Sequence, residues 1–233
     1  MGTTNTVLII PDLHIPAEHP KSLQFCRDMY NEWSCNEVVF IGDVSDFHAI
    51  SFHTKNPDLP SAGDEYDMVR NRIKPWVSSF PKATVVYGNH DLRGFRLGRT
   101  VNIPDRLIRS PKELWETKKW TWVHEYIKDD MYFIHNGGGG LYPAINRAKS
   151  MGMSVICGHT HTNAGVHWVA SPLHRFFGMN VGCLIDIDKM QFEYGQHYTY
   201  RPILGVGIIK NGTPYYEVMP CGQGEKYHKG KSK

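Results

Sequence analysis

The sequence predicts an α/β fold, and two features of the 233-residue chain support this. The first is a series of five short apolar runs, each followed directly by polar residues, at 6–10, 37–41, 83–87, 131–134 and 154–157. The second is the presence of amphipathic stretches between those runs. Strands that alternate with helices indicate a sheet covered by helices, and ligands bind beyond the carboxyl ends of such strands. The polar residues are therefore expected to share one site.

The elements follow in order along the chain. The run TVLII precedes PDLH, EVVFI precedes GDVSD, ATVVY precedes GNHD, MYFI precedes HNGGGG, and SVIC precedes GHTH. Apolar residues at steps of three and four predict helices over 21–33 and 64–80, and a third helix is expected over 141–149. Ser61 and Asp64 are positioned to cap the second helix, and Pro75 is expected to kink or divide it.

Towards the C-terminus the pattern changes to hairpins. The segments VGCLIDI and FEYG flank Asp188 and Lys189, and LGVGIIK and PYYEVM flank Asn211-Gly212. Asn-Gly between two apolar runs is a strong signal for a type I′ turn. These segments predict a second, antiparallel sheet.

Composition indicates one domain, over residues 1–222, followed by a basic tail at 223–233 that we expect to be disordered. A net charge of +3 argues against a nucleic-acid coat or a membrane-surface protein. Five scattered cysteines without a C-x-x-C pair are typical of reduced thiols. The apolar stretch at residues 7–10 is too short for a signal peptide. We therefore expect a cytoplasmic protein that does not bind membranes.

The polar residues at the strand ends have the composition of a metal site. Asp12 and His14 stand two residues apart, so both project to the same side of an extended strand end. His159 and His161 repeat that spacing. The other donors at strand ends are Asp43, Asn89 and His135. Seven oxygen and nitrogen donors without sulfur suit Mn²⁺, Fe, Zn²⁺ or Mg²⁺, and they exceed one tetrahedral site. Two ions that share Asp43 as a bridging ligand are the natural arrangement.

The order of these motifs resembles the calcineurin-like metallophosphoesterase superfamily, in particular its compact stand-alone members from bacteriophages. The motifs are D-x-H at Asp12, G-D-x-x-D at Gly42, G-N-H-D at Gly88, a lone His135, and G-H-x-H at Gly158. All five occur in sequence between residues 7 and 162. The resemblance implies a four-layer αββα sandwich with two facing mixed sheets.

The resemblance also implies a role for each matched residue. One divalent ion would be held by Asp12, His14, Asp43 and His161, and the other by Asp43, Asn89, His135 and His159. The ions are expected to be Mn²⁺, with Fe, Zn²⁺, Mg²⁺ or Ni²⁺ as alternatives. A hydroxide that bridges them would attack phosphorus. His90 would then protonate the leaving oxygen, and Asp46 would orient His90.

Several site residues have competing interpretations. His124 competes with His135 as a ligand, and we prefer His135 because it directly follows an apolar run and precedes a glycine-rich loop. Asp91 either contacts substrate or holds the loop. Residues proposed to bind substrate are Arg93, Asp91, Arg96, Arg99 and His48. A solvated helix face would explain the arginines equally well.

Three functions remain open at this stage. The favoured one is a phosphodiesterase acting on a nucleotide, a cyclic nucleotide or nucleic acid. A phosphomonoesterase, including a protein phosphatase, is the alternative, although Phe47 stands where protein phosphatases of the superfamily have a phosphate-clamping arginine. A non-catalytic scaffold is disfavoured, because a scaffold has no need of seven ligands together with His90 and Asp46. The number of subunits cannot be predicted from these features.

Overall fold

The computed structural model describes residues 5–53, 56–186 and 201–220, and it contains two β-sheets packed between layers of helices. The strands are β1 (Thr6–Ile10), β2 (Glu37–Phe40), β3 (Ala83–Val86), β4 (Trp120–Val123), β5 (Tyr126–Lys128), β6 (Met131–Ile134), β7 (Ser154–Cys157), β8 (Ala164–Ala170), β9 (Arg175–Val181), β10 (Gly205–Lys210) and β11 (Thr213–Val218). The helices are α1 (Ser22–Glu32), α2 (Ala62–Arg72), α3 (Lys74–Ser79), α4 (Arg93–Thr100), α5 (Pro111–Leu114) and α6 (Pro143–Met151). Short 3₁₀ helices lie at His48–Ile50 and Asp105–Leu107.

The first sheet has the strand order β11-β10-β1-β2-β3-β4, and the second has β5-β6-β7-β9-β8. Strands β1 to β4 are parallel, as are β6, β7 and β9. The remaining pairings are antiparallel, so both sheets are mixed. The parallel pairing places the carboxyl ends of β1, β2 and β3 at one edge of the first sheet.

The alternation of side chains along β1 explains the layers. Val7 and Ile9 point into an apolar cluster that also contains Phe133, Ile156 and Met179 of the second sheet. Leu8 and Ile10 point the other way, into a cluster with residues of α1, α2 and α3. Helix α6 covers the outer face of the second sheet. The predicted αββα sandwich with two facing mixed sheets is thereby confirmed.

The helices predicted over 21–33 and 141–149 are α1 and α6. The proposed helix over 64–80 is two helices, α2 and α3, and Pro75 lies in the first turn of α3, where its missing N–H costs nothing. Ser61 caps α2 by accepting a hydrogen bond from the backbone N–H of Asp64. Among the described residues, no helix is both long and apolar enough to span a membrane.

The expectation that the C-terminal hairpins form a second, antiparallel sheet is wrong for the hairpin at Asn211-Gly212. Strands β10 and β11 do form that hairpin, but β10 pairs antiparallel with β1 and extends the first sheet. The physical reason is that β1 has β2 on one side only, and β10 satisfies the backbone groups on its other side. The hairpin proposed around Asp188 and Lys189 falls in 187–200, outside the described residues.

Candidate metal and catalytic site

Each polar motif begins within two residues of the end of a strand. Asp12 follows β1, Gly42 follows β2, Gly88 follows β3, His135 follows β6, and Gly158 follows β7. The carboxyl ends of strands from both sheets therefore meet, as expected of a ligand site in an α/β fold. Asp12, His14, Asp43 and His135 are buried there, with Asp12 and His14 both at 0% exposure, whereas Asn89 and His161 are partly exposed and His159 is exposed.

The backbone at this edge is unusual. Three of the proposed ligands, His14, Asp43 and His159, have φ angles of 49°, 49° and 63°. The left-handed region is uncommon for residues with a side chain and costs of order 1 kcal/mol or more each. Such conformations persist where the surrounding structure enforces them, and they concentrate at functional sites. Here they turn the chain sharply just after a strand.

Asp43 lies at the centre of the cluster. Its Oδ2 is 3.5 Å from Nε2 of His14 and 3.2 Å from Nε2 of His135. Its Oδ1 accepts a hydrogen bond of 2.8 Å from the backbone N–H of His90. One carboxylate oxygen therefore faces two imidazole nitrogens from different sheets. Burial raises the pKa of Asp43, but the positive charges of His135 and His90 outweigh it and hold the pKa well below its usual range.

The first group of donors surrounds Asp12. Ligand atoms of Asp12, His14 and His161 all lie within 4.8 Å of one another. Asp12 Oδ2 accepts a hydrogen bond of 2.9 Å from the backbone N–H of His159 and lies 3.0 Å from Nε2 of His161. Asp12 Oδ1 is buried and has no hydrogen-bond partner among the described residues. A buried carboxylate oxygen without a partner is costly unless a cation completes its coordination.

The second group contains Asp43, His135 and His159, whose ligand atoms also lie within 4.8 Å of one another. Asn89 joins them, since its Oδ1 is 3.0 Å from Nε2 of His135. His135 Nδ1 lies 2.8 Å from the carbonyl of Ile41, which fixes Nε2 towards the cluster. Burial lowers the pKa of His135, but the charges of Asp43 and Asp12 outweigh it and raise the pKa to about 10. The same negative field favours a divalent cation.

Two glycines leave room for the carboxylates. A Cβ on Gly88 would lie 2.0 Å from Asp43 Oδ1, and a Cβ on Gly158 would lie 2.3 Å from Asp12 Oδ1. Both distances are far below van der Waals contact, so no other residue fits without displacing the ligand. Together with the donor chemistry and the partnerless Asp12 oxygen, this close packing fits the two metal sites that the motifs predict.

His90 is positioned differently from the other histidines. Its Nδ1 lies 2.9 Å from both Oδ1 and the backbone carbonyl of Asp46, and its Nε2 lies 3.0 Å from a guanidinium nitrogen of Arg93. A third possible grouping for a metal contains His14, Asp43 and His90. The guanidinium beside Nε2 makes His90 a poor ligand, because it repels a cation at that atom.

Asp46 is a hydrogen-bond partner of two histidines. Its Oδ1 is 2.8 Å from Nδ1 of His14 and 2.9 Å from Nδ1 of His90. Burial raises the pKa of Asp46, but the hydrogen bonds from His14 and His90 lower it below its usual range. Burial and the neighbouring His90 lower the pKa of His14 to about 4. Burial also lowers the pKa of His90, but the charge of Asp43 and the Asp46 hydrogen bond outweigh it and raise the pKa.

The structure separates the residues proposed to bind substrate. Arg93 is buried at 4% exposure and donates to the backbone carbonyls of Asp46 and Phe47. Arg96 lies one helical turn further on, over the ring of Phe52. Arg99 forms an exposed ion pair of 2.5 Å with Asp105. Because Asp105 neutralises its charge, Arg99 has less to offer an anionic substrate than Arg96, which has no ion pair among the described residues.

Asp91 and His48 are held within the protein. Asp91 accepts hydrogen bonds from Ser45 N, Ser45 Oγ and Gly88 N, and these tie the G-N-H-D loop to the G-D-x-x-D loop. This contact pattern matches the loop-holding interpretation. His48 is 7% exposed and lies at the start of its 3₁₀ helix. The ring of the competing ligand His124 packs at a tilt of 40° against Tyr87, with ring centroids 5.0 Å apart.

Sequence reasoning missed two residues beside the site. Glu65 is buried, and its two oxygens accept hydrogen bonds from the backbone N–H groups of His48 and Ala49. Phe52 follows the same 3₁₀ helix and is half exposed. Neither residue belongs to a motif, and only the fold brings Glu65 within reach of the charges of Asp46 and Arg93 and brings Phe52 against Arg96.

The sequence matches no protein-family model and no curated protein. Solved structures of similar shape include vacuolar protein sorting 29 from Cryptosporidium parvum, with 12% identity, a TM-score of 0.46, and coverage of 93% of this chain and 97% of that one. A metallophosphoesterase from Sphaerobacter thermophilus has 14% identity, a TM-score of 0.44, and coverage of 93% and 88%. Nuclease MPE from Pseudomonas putida has 14% identity, a TM-score of 0.37, and coverage of 90% and 86%. Similarity at this level describes shape and does not identify a substrate.

Proposed function

We propose that this chain is a dinuclear metal-dependent phosphoesterase of the calcineurin-like type. The observation that carries the proposal is the position of Asp43, whose Oδ2 faces His14 at 3.5 Å and His135 at 3.2 Å. One ion would be held by Asp12, His14, Asp43 and His161, and the other by Asp43, Asn89, His135 and His159. Two such ions, most simply Mn²⁺, would supply Lewis-acid activation of water and of the phosphoryl oxygens.

The chain's own residues supply the proton for the leaving group. His90 Nδ1 is fixed by Asp46 at 2.9 Å, which leaves Nε2 as the atom that faces the substrate. The charge of Asp43 and the Asp46 hydrogen bond raise the pKa of His90, which favours the imidazolium form that a general acid needs. Arg93 Nη2 lies 3.0 Å from the same nitrogen. Because a guanidinium only donates hydrogen bonds, a phosphate oxygen that accepts from both Arg93 and protonated Nε2 would satisfy the two groups together.

We favour phosphodiesters over monoesters as substrates, with a nucleotide, a cyclic nucleotide or nucleic acid as the natural class. Phe47 occupies the position after Asp46 where a phosphate-clamping arginine would favour monoesters. Arg93 contacts the carbonyl of Phe47 from helix α4 and provides a single guanidinium on the leaving-group side. A phosphomonoesterase, including a protein phosphatase, is the alternative.

Metal analysis and two synthetic substrates test this proposal. The purified protein is expected to bind two Mn²⁺ per chain and to hydrolyse bis(4-nitrophenyl) phosphate faster than 4-nitrophenyl phosphate. Chelation is expected to abolish turnover, and Mn²⁺ to restore it. Asp43→Asn is expected to weaken both metal sites, whereas Asp67→Asn, a change at an exposed aspartate on α2, is expected to leave metal content and rate unchanged.

Each alternative gives a different result. Full activity with one bound ion would contradict the dinuclear site. Preference for the monoester would move the function to the phosphatase alternative. A metal-loaded chain that hydrolyses neither ester, nor any nucleotide or oligonucleotide, would instead support the non-catalytic scaffold.

A further inference from the structure

An exposed aromatic and cationic pair lies beside the site. Phe52 is 50% exposed, although it is a large apolar residue in a short surface segment. The guanidinium carbon of Arg96 lies 4.9 Å from the centroid of its ring. Arg96 is itself exposed, and no carboxylate of the described residues forms an ion pair with it. The pair therefore presents an aromatic ring and an unneutralised positive charge to solvent.

Both Phe52 and Arg96 lie a few residues along the chain from Arg93, the neighbour of the proposed acid His90, or from a group that contacts it. Arg93 lies 3.0 Å from His90 Nε2, and Arg96 follows it by three residues on α4, about 4.5 Å further along the helix axis. Residues three apart lie on the same helical face. Phe52 is linked to Arg93 through a second route. It follows the 3₁₀ helix His48–Ile50, which begins directly after Phe47. The backbone carbonyl of Phe47 accepts a hydrogen bond from Arg93. The Phe52–Arg96 pair is thus on the side of the site where the leaving group departs.

Glu65 holds this segment in place. Its two carboxylate oxygens accept hydrogen bonds of 2.7 and 2.9 Å from the backbone N–H groups of His48 and Ala49. A buried carboxylate with two backbone donors fixes the 3₁₀ helix relative to α2. Phe52 therefore follows a 3₁₀ helix that Glu65 anchors to α2, and this anchor helps to fix its position relative to Arg96.

We propose that Phe52 and Arg96 form a stacking site for the nucleobase of the leaving alcohol. This rests on the proposed phosphoesterase function and narrows its substrates to diesters with a nucleoside leaving group. An aromatic face binds any base by stacking, and a guanidinium beside it adds attraction to the base and the phosphate. Arg93 would bind the scissile phosphate, and the Phe52–Arg96 pair would bind the base carried by the sugar of the leaving nucleoside.

The test compares two substrates that differ only in the base. One is a dinucleoside monophosphate, and the other is its analogue in which the leaving sugar carries no base. With Mn²⁺ present, the full chain is expected to show a KM about tenfold lower for the base-bearing substrate, which is a typical gain from one stacked base. Phe52→Ala is expected to remove that difference and to leave the KM for the abasic analogue unchanged. Phe52→Trp is expected to preserve it.

The chain offers a matched control. Trp168 is also half exposed and has Arg175 at 5.2 Å from its ring centroid, but β9 runs parallel to β7 and places this pair near the amino ends of the strands. Trp168→Ala is therefore expected to change neither KM. Thermal unfolding of all variants shows whether any effect comes from lost stability.

A binding measurement separates this proposal from the enzymatic one. Calorimetry with adenosine monophosphate and with ribose 5-phosphate needs no turnover, and Phe52→Ala is expected to weaken binding of the first about tenfold and of the second not at all. If hydrolysis fails but this difference holds, the stacking site stands and the proposed activity falls. Equal binding of the two ligands by the unmodified chain, or equal losses in the variant, would refute the stacking site.

Discussion

The substitution Gly158→Ala tests whether the packing around Asp12 sets the geometry of the metal site. A methyl group at residue 158 would lie 2.3 Å from Asp12 Oδ1 and 2.9 Å from Cγ2 of Ile41. Ordinary van der Waals contact begins at 3.4 Å, so the carboxylate must move by about 1 Å. Gly158 does not have a positive φ, and alanine therefore meets no backbone strain of its own.

The expected loss follows from that displacement. Misplacing a catalytic group by about 1 Å can cost about 10²-fold in rate, so kcat/KM for bis(4-nitrophenyl) phosphate is expected to fall by about that factor. Binding of the ion held by Asp12 is expected to weaken, while the ion held by Asn89 and His135 remains. Overpacking of a buried site costs about 1–3 kcal/mol, so the variant is expected to fold with a lower midpoint of thermal unfolding.

The matched control is Gly139→Ala in the glycine-rich loop. No atom lies within 4 Å of a Cβ built at Gly139, and no positive φ is found there. This variant is expected to retain the rate, metal content and unfolding midpoint of the unmodified chain. A Gly158→Ala variant with a rate within twofold of the unmodified chain would show that the close packing against Asp12 does not control the site.

Three further predictions concern the same cluster. His90→Asn is expected to keep both metal ions but to lower kcat by about 10²–10⁴-fold on alkyl leaving groups, with a smaller loss on nitrophenyl esters that need little protonation. Equal losses on both would contradict its role as the acid. In the metal-free chain the pKa of His135 is raised to about 10, so a proton competes with metal across neutral pH. Mn²⁺ affinity measured by calorimetry is therefore expected to rise from pH 6 to pH 8 with release of protons, and constant affinity would count against His135 as a ligand. Arg99→Ala is expected to leave KM for nucleotides nearly unchanged because Arg99 pairs with Asp105, whereas Arg96→Ala is expected to raise it.

Local pattern was sufficient to predict the fold class and the elements of the site. Apolar runs of four or five residues ending in polar motifs indicated strands that bring their carboxyl ends together, and β1, β2 and β3 are parallel and do so. Pro75 and Asn211-Gly212 were informative because of their backbone chemistry. Pro75 has no N–H to donate within a helix, and Asn211 and Gly212 both adopt the positive φ of a tight turn. Such features depend on neighbours in sequence, and a single sequence contains them.

The sheet to which a hairpin adds, and the partner that a charged side chain finds, depend on contacts between distant residues. Strand β10 pairs with β1 although about 200 residues separate them along the chain, and neither segment contains a local signal that specifies its partner strand. Arg99 and Arg96 look alike in sequence, yet one pairs with Asp105 and the other lies over Phe52.

The sequence by itself determined the donor set, because the residue types and their order at strand ends specify oxygen and nitrogen ligands for divalent ions. Only the tertiary structure decided how those donors are shared. Asp43 Oδ2 lies between His14 and His135. Asp46 Oδ1 is within hydrogen-bond distance of both His14 and His90, and Phe52 lies beside Arg96. The physical reason is that hydrogen bonds, ion pairs and stacking act over a few ångströms in space, and packing of the two sheets alone sets which atoms come that close.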